Sequence, residues 1–372
     1  MDSLGEMAAD EVVDAGGGML FPSFCDSHTH LVYAGSREQE FLDKINGLTY
    51  EQIARRGGGI LNSADLLHRT SEEELYRQAM GRIREIAAMG TGAVEIKSGY
   101  GLTTADELKM LRVVRRIRET APLAVRATFL EGACRAARLR RTAGGVCRPG
   151  LQRNAACGGG RRTGRFRRRV LRRRVLHRGA DGTHHEGRAR KLGMRAKIHA
   201  NELAVSGGVQ VGVEYDALSV DHLERMGGPE IGALHGTVTS PTMLPGAAFF
   251  LGMSYPPARE MINAGLGVAL ASDYNPGSSP SGNMRMVVSL ACIRMRMTPA
   301  EAINAATLNG AYAMGLSRDY GSRHGRQGRQ FFPHGADAFG GVLALCLYHA
   351  AYQPHIPARR GGRGVIFDGR AV

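Results

Sequence analysis

The chain has 372 residues, 43% of them apolar, which is enough for one large barrel-type domain or two ordinary ones around a buried core. It has no run of 18 apolar residues, and its opening, MDSLGEMAAD, lacks the cationic and apolar regions of an export signal, so we expect neither a membrane span nor export. Six cysteines without a CxxC pair argue against a zinc ribbon and a disulfide framework, and they favour a reduced, cytoplasmic location.

The net charge of +15 has one source. Residues Ala133–Arg190 hold 18 arginines, no lysine and two acids, so they carry +16 and the rest of the chain is close to neutral. Because arginines can neutralise phosphates, a basic nucleic-acid-binding protein acting through residues 133–190 is one hypothesis. The segment has a single Phe, Tyr or Trp, Phe166, to stack on bases, and it has no recognised nucleic-acid-binding motif. We therefore expect no specific nucleic-acid partner.

Outside this segment, short apolar runs alternate with amphipathic helical patterns, which is typical of βα units around a parallel sheet. The predicted strands are Phe21–Cys25, Ala93–Ile96, Leu123–Leu130, Arg195–His199, Ala217–Leu223, Thr237–Leu244 and Val268–Asp273. Capping boxes at Ser71 with Glu74 and at Thr104 with Glu107 predict two helix starts, and Pro299–Met314 is predicted as a further helix.

If one or two strands lost in the basic segment are counted, the total is about eight, the number of a (β/α)8 TIM-type barrel, which is an α/β fold. A doubly wound sheet is the alternative. It is less favoured because no glycine-rich phosphate-binding turn follows the first predicted strand.

Histidines and a carboxylate stand at the ends of three predicted strands. His28 and His30 are two residues apart, so in an extended segment they point to the same side. His199 ends a second strand and Asp273 a third. At the C-terminal rim of one barrel these four residues would form a nitrogen and oxygen ligand set suited to zinc or ferrous iron. Such a metal lowers the pKa of bound water towards about 7 and so supplies hydroxide for hydrolysis.

Further polar residues follow the predicted strands. His222 and Glu202 could handle protons, although a hydrogen-bonded rim histidine and a solvated loop acid are equally simple interpretations. Tyr100 and Arg37 also follow strand-like runs. An arginine there suits a substrate that carries a carboxylate, because its planar guanidinium binds carboxylates through two hydrogen bonds, and the alternative is a surface charge.

Five motifs run in order between Phe21 and Asp319: FPSFCDSHTHLVYAGSRE, EIKSGYGL, KIHANEL, SVDHLE and ASDYNPGSSPSGNM. Together they resemble the motif series of the imidazolonepropionase family, within the amidohydrolase superfamily. The resemblance implies a metal-dependent hydrolysis of the cyclic amide 4-imidazolone-5-propanoate to N-formimidoyl-L-glutamate in L-histidine degradation. Another amidohydrolase, such as a nucleobase deaminase, would share the metal motif but would leave KSGYG and DYNPGSS unexplained.

The resemblance also implies roles for individual residues. One divalent metal, Zn²⁺ or Fe²⁺/³⁺, would be held by His28, His30, His199 and Asp273. The substrate would be bound by Arg37, Tyr100, Glu202, Asn275, Gly277 and Ser278. Proton transfer would fall to Glu202, His222 and Asp273. We expect a small-molecule substrate and no membrane, and both a monomer and a homodimer stay open.

The chain departs from the family after Leu130. Where the family continues Gly-Ala-His-Ala-Val-Pro, this chain reads Glu131-Gly132-Ala133-Cys134-Arg135-Ala136. The letters Gly-Ala-Cys-Arg-Ala-Ala can be encoded so that the same DNA, read one base over, gives Ala-His-Ala-Val-Pro. We therefore hypothesise that residues 131–189 and 322–364 are out-of-frame text, and we expect residues 131–189 to be irregular or disordered and to leave the barrel open.

The predicted organisation has three parts. Residues 1–20 are interpreted as a remnant of an N-terminal β-sandwich region that starts late relative to the family. Residues 21–321 form the metal-dependent hydrolase barrel. Residues 322–372 are the C-terminal return of the β-sandwich.

Overall fold

A computed structural model describes residues 12–14, 19–48, 52–53, 56, 58–130, 166–170, 195–322, 331–334 and 366–368. The strands are β1 Val12–Asp14, β2 Met19–Pro22, β3 Phe24–Thr29, β4 Thr91–Lys97, β5 Ala124–Leu130, β6 Phe166–Val170, β7 Arg195–Ala200, β8 Ser219–His222, β9 Ser240–Met243, β10 Ala269–Leu270, β11 Phe331–His334 and β12 Ile366–Asp368. The helices are α1 Glu38–Ile45, α2 Ile60–Arg69, α3 Glu72–Ala88, α4 Thr104–Thr120, α5 Gly208–Glu214, α6 Gly228–Leu234, α7 Pro245–Leu251, α8 Ala258–Asn263, α9 Met284–Met295, α10 Pro299–Ala306 and α11 Leu308–Ala313.

Strands β3 to β10 pair in chain order as one parallel eight-stranded sheet. The sheet closes on itself where β3 meets the segment after β10. There the Asp273 amide donates to the His28 carbonyl at 3.0 Å, and the His30 amide donates to the Tyr274 carbonyl at 2.9 Å. The predicted barrel is therefore confirmed. Its first strand lies later than the predicted Phe21–Cys25, which overlaps β3 only at Phe24 and Cys25, and the predicted Val268–Asp273 extends beyond β10 at both ends.

A buried carboxylate reinforces this closure. Asp26 on β3 accepts hydrogen bonds from the Ser272 amide at 3.0 Å and from the Ser272 hydroxyl at 2.5 Å. Burial raises the pKa of Asp26 to about 6, although the hydrogen bonds from Ser272 oppose the rise. Asp26 thus ties the first strand of the barrel to the end of the last one.

The prediction that residues 131–189 leave the barrel open is wrong. Phe166–Val170 forms β6, which pairs in parallel with β5 on one side and with β7 on the other. The physical reason is that a sheet ladder is made by backbone N–H and C=O groups, which every residue except proline carries in full, so an extended segment can fill the gap whatever its side chains. The rest of residues 131–189 lies outside the described residues, and the shifted reading frame stays a prediction.

Four short strands come from the two ends of the chain. β1 pairs in parallel with β12, and β2 pairs antiparallel with β11. Each of these two-stranded sheets therefore joins an N-terminal strand to a C-terminal one, as a β-sandwich built from both termini requires. The predicted domain boundaries at residues 20 and 321 stay predictions.

Helices pack around the outside of the barrel through apolar faces. On α3, for example, Ile83 and Ile86 are fully buried and belong to the same apolar cluster as Val94 and Ile96 of β4. Among the described residues, no helix combines the length and the apolar character needed to cross a membrane.

Two predicted helices differ in detail from those observed. The helix predicted for Pro299–Met314 is divided at Thr307, whose φ of −118° and ψ of −85° are not helical, into α10 and α11. On α11, a Cβ at Gly310 would lie 2.2 Å from the Cys25 carbonyl oxygen. Glycine at this position therefore lets α11 lie closer to the backbone of β3 than any residue with a side chain would allow.

The capping box predicted at Ser71 is confirmed in part, since the Ser71 hydroxyl accepts from the Glu74 amide at 3.2 Å. The box predicted at Thr104 with Glu107 is wrong by one residue. Thr103 is the cap of α4, and its hydroxyl accepts from the Asp106 amide at 3.1 Å. This frees Glu107 to turn inward.

Glu107 is fully buried and holds the loop that follows β4. Its Oε1 accepts from the Gly101 amide at 2.8 Å and from the Leu102 amide at 3.2 Å. Burial raises the pKa of Glu107 to about 7, although hydrogen bonds from Ser98 and the loop amides oppose the rise. The loop that carries Tyr100 therefore rests on a carboxyl group that titrates near neutral pH.

Replacing Glu107 with Gln should make the stability of the protein less dependent on pH. Since the pKa is raised from 4.5 to about 7 on folding, the folded chain keeps a proton that the unfolded chain releases between these values. The stability contributed by this group is present below about pH 4.5 and is lost as the pH rises towards 7, by about 3 kcal/mol. Gln retains an acceptor oxygen for the two amides but does not titrate.

Calorimetric melting temperatures from pH 4.5 to 8 check this, with the parent and Glu107→Gln compared at each pH. The variant is expected to gain on the parent as the pH rises to about 7. A difference that stays constant across the range would contradict the prediction.

Candidate active site

Four potential metal ligands converge at the C-terminal rim of the barrel. His28 and His30 come from the end of β3, His199 from the end of β7, and Asp273 from the segment after β10. Asp273 Oδ1 lies 3.4 Å from His28 Nε2 and 3.7 Å from His30 Nε2. The rings of His28 and His199 stack with centroids 4.6 Å apart, and one ring nitrogen from each of the three histidines lies within 4.8 Å of the others.

This donor set fits a divalent transition metal. Ligands at the bond lengths of a tetrahedral zinc site lie about 3.3–3.5 Å from one another, close to the observed separations from Asp273. The side chains of His28 and Asp273 are almost wholly shielded from solvent. Three imidazoles and one carboxylate match zinc or ferrous iron, and they lack the all-oxygen character that calcium or magnesium prefers.

His222 lies beside these ligands and between two acids. Its ring centroid is 4.6 Å from that of His199, its Nε2 is 3.9 Å from Glu202 Oε2, and its Nδ1 is 3.5 Å from Glu224 Oε1. Burial lowers the pKa of His222, but the charges of Glu202 and Glu224 outweigh this and raise the pKa to about 9. Glu202 keeps 36% of its side chain exposed, so it reaches the mouth of the site.

Tyr100 and Arg37 line the other side of the mouth. The Tyr100 ring is buried, with its centroid 5.8 Å from that of His30. The Arg37 guanidinium carbon lies 5.9 Å from the Tyr100 ring centroid, and its Nε donates to the Ser63 hydroxyl at 2.9 Å. Burial raises the pKa of the Tyr100 phenol above its usual value, so the hydroxyl keeps its proton at neutral pH and can donate a hydrogen bond.

The loop after Asp273 is built around one asparagine. Asn275 Nδ2 donates to the Asp273 carbonyl at 2.6 Å, and its Oδ1 accepts from the amides of Gly277 and Ser278, both at 2.8 Å. The Ser278 hydroxyl donates to Asp273 Oδ2 at 3.2 Å. A Cβ at Gly277 would lie 2.3 Å from Arg37 Nη1, so only glycine there leaves the guanidinium where it is.

The backbone is left-handed at several non-glycine residues on the rim. The φ angles are 56° at Asn201, 87° at His222, 72° at Leu223 and 57° at Asp273. Each such residue costs about 1 kcal/mol, and such conformations gather at functional sites. Here they turn the chain at the ends of β7, β8 and β10.

All eleven site residues predicted from the sequence therefore lie around one mouth, while their individual roles stay predictions. The family's histidine after Leu130 is absent from this chain, and residues 131–165 lie outside the described residues. A buried network one layer below the ligands was not predicted from the sequence; it is formed by Glu95, Lys97, Lys197 and Asp221. One signal was available: Glu95 and Lys97 alternate with apolar residues in a strand, so both point to the same side.

Comparisons with known proteins agree with this geometry. The sequence pattern of the Amidohydrolase family matches residues 19–323. The imidazolonepropionase of Flavobacterium johnsoniae is 49% identical over 336 residues, which is 87% of this chain and 78% of that protein. That of Pseudomonas putida is 37% identical over 327 residues, or 86% of this chain and 80% of that protein.

Solved structures with the same fold are more distant in sequence. The adenosine deaminase of Xanthomonas campestris with bound zinc has a TM-score of 0.66 at 16% identity, covering 91% of this chain and 78% of its own. The 5-methylcytosine deaminase of Klebsiella pneumoniae has a TM-score of 0.72 at 15% identity, covering 92% of this chain and 87% of its own. At these identities they bear on the fold alone.

The family match over most of the barrel and the identity to curated relatives agree with the motif series read from the sequence. The chain belongs to the amidohydrolase family and, within it, to the imidazolonepropionases.

Proposed function

We propose that the chain hydrolyses 4-imidazolone-5-propanoate to N-formimidoyl-L-glutamate, a step of L-histidine degradation. Water adds to the ring carbonyl carbon and the ring C–N bond breaks, so the carbonyl becomes a carboxylate and the nitrogen takes up a proton. The observation that carries the proposal is the cluster of His28, His30 and His199, with the Asp273 carboxylate beside the first two. Tyr100 and Arg37 lie next to this cluster.

We infer that one divalent ion, zinc or iron, is held by His28, His30, His199 and Asp273. When bound, such an ion supplies Lewis-acid chemistry, because it lowers the pKa of water and polarises a carbonyl group. The short separations among these ligand atoms support the inference.

The chain's own residues bind the substrate and move its protons. Arg37 suits the propanoate carboxylate, since its guanidinium can donate two parallel hydrogen bonds, and the Tyr100 hydroxyl donates a further one. His222 lies between the carboxylates of Glu202 and Glu224, which favour its protonated form, and it is placed to give a proton to the leaving nitrogen. Asp273 and Glu202 are the carboxylates placed to accept a proton from the attacking water. Asn275, Gly277 and Ser278 shape the wall behind Arg37.

A nucleobase deaminase is the weaker candidate. Its fold and metal ligands would be the same, but a nucleobase carries no carboxylate, so the position of Arg37 would be unexplained. The alternative of a nucleic-acid-binding protein depends on residues 133–190, of which only Phe166–Val170 is described. The expected cytoplasmic location and the homodimer stay predictions.

The direct test is the reaction itself. The purified, metal-loaded chain is expected to consume 4-imidazolone-5-propanoate and to form N-formimidoyl-L-glutamate in equal amounts, followed by absorbance and mass spectrometry. Cytosine and adenine serve as controls and are expected to release no ammonia. Ammonia from either base, without ring opening of the imidazolone, would favour the deaminase.

His199→Ala and Asp273→Ala are each expected to lower hydrolysis at least about 100-fold and to reduce the bound metal well below one ion per chain. The reason is that each change removes one of four ligands. Metal content is measured by elemental mass spectrometry after dialysis. His235→Ala, which changes an exposed histidine after α6, is the matched control and is expected to alter neither quantity. Full activity in His199→Ala would refute the ligand assignment.

Gly277→Ala is expected to raise the KM about 10- to 100-fold with little change in kcat or in melting temperature. The added methyl group would displace the flexible end of Arg37 from its place, which weakens substrate binding without touching the ligands. Gly232→Ala on α6, where a Cβ would meet nothing within 4 Å, is the control. An unchanged KM in Gly277→Ala would argue against Arg37 as the carboxylate-binding residue.

A further inference from the structure

Four charged side chains form the buried network inside the barrel: Glu95, Lys97, Lys197 and Asp221, each with no exposed surface. Lys197 Nζ lies 2.8 Å from Glu95 Oε2 and 3.9 Å from Asp221 Oδ2, and Lys97 pairs with the same oxygen of Glu95. Two ammonium groups thus balance two carboxylates. Because burying a charge without a partner is very costly, the four side chains constrain one another's positions.

The network also forms hydrogen bonds to the backbone of β3, the strand that leads to the candidate ligands His28 and His30. Lys197 Nζ donates to the Ser27 carbonyl at 2.6 Å, and Lys97 Nζ donates to the same oxygen at 3.4 Å. Ser27 immediately precedes His28 in the chain. The two lysines therefore fix the backbone of β3 directly before the ligand.

Asp221 touches the ligand itself. Its Oδ2 lies 2.8 Å from His28 Nδ1, between two side chains that are wholly buried, and its Oδ1 accepts a hydrogen bond from the Ser219 hydroxyl. A carboxylate accepts hydrogen bonds and donates none, so the proton of this contact sits on Nδ1. The lone pair of the His28 ring is then on Nε2, the nitrogen that faces Asp273 at 3.4 Å.

We propose that Asp221 is a positioning residue for the metal ligand His28: it fixes the orientation of the ring and keeps the proton on Nδ1, so that Nε2 is presented to the metal. The inference rests on the metal site of the proposed function. Partners of this kind, which hold the second nitrogen of a ligand histidine, typically change metal affinity by about 10- to 100-fold when removed.

A role in folding alone makes a different prediction. If Asp221 served only to balance Lys197, its removal would lower the melting temperature and leave the metal affinity of the folded protein unchanged. Metal affinity therefore separates a positioning role from a structural one.

The test measures the Zn²⁺ dissociation constant of the full chain by competition with a chromophoric chelator. Asp221→Ala is expected to raise this constant about 10- to 100-fold. Asp221→Asn is expected to raise it less, because the amide oxygen can still accept from Nδ1. Glu230→Gln makes the same acid-to-amide exchange at a buried cap of α6 and is expected to leave the constant unchanged.

A dissociation constant for folded Asp221→Ala equal to that of the parent would overturn the inference. A parent chain that binds no Zn²⁺ would instead overturn the proposed metal site, and the inference with it. The two failures are thus distinguishable in one experiment.

A second measurement does not depend on how well any Asp221 variant folds. In the zinc-loaded parent with ¹⁵N-labelled histidine, the His28 signals are identified by their loss in His28→Gln. They are expected to show a proton on Nδ1 and a metal-shifted Nε2. A proton on Nε2 would overturn the inference.

Discussion

The hydrogen bonds that join β3 to the segment after β10 hold the two ends of the barrel together and, with them, three of the four predicted metal ligands. The Asp273 amide bonds to the carbonyl of His28, and the His30 amide bonds to the carbonyl of Tyr274. The distances between these ligands are therefore set by backbone bonds of nearly fixed length. Asp26 strengthens the same junction through its hydrogen bonds with Ser272. The contacts that close the barrel are therefore the ones that bring these ligands together.

The charged side chains below the site contribute more to the positions of the ligands than to the free energy of unfolding. Replacing a buried ion network with well-packed apolar residues often leaves a protein equally stable or more stable, so Glu95 and its two lysines are poor evidence of a stability gain. Their directional bonds to the Ser27 carbonyl and to one another do what apolar packing cannot, because they fix positions to within a hydrogen-bond length. The charged network inside the barrel thus holds the backbone that carries the ligands in a defined position.

The barrel and the clustering of the candidate ligands could be predicted from the sequence because both depend on local patterns. The His-x-His pair and the strand-end positions of His199 and Asp273 follow from strand geometry, and the family motifs supplied the remaining site residues. The contact between His28 and Asp221 joins residues 193 positions apart, and no local pattern announces it. Glu107 was misassigned as a cap because Thr103 and Thr104 both fit the pattern, and only the packing of the loop decides between them. The strand at 166–170 was missed because its pairing uses backbone groups, while the prediction weighed side chains.

The left-handed backbone at the rim has a consequence for how this protein could change. His222 and Asp273 occupy left-handed conformations that cost about 1 kcal/mol each and that glycine would adopt without strain, yet the roles proposed for them require their side chains. At these strand ends, the residue that would best stabilise the fold differs from the residue that the proposed reaction requires. The strain at these strand ends therefore comes with the very side chains that the proposed reaction needs, and the folded barrel has to offset it elsewhere.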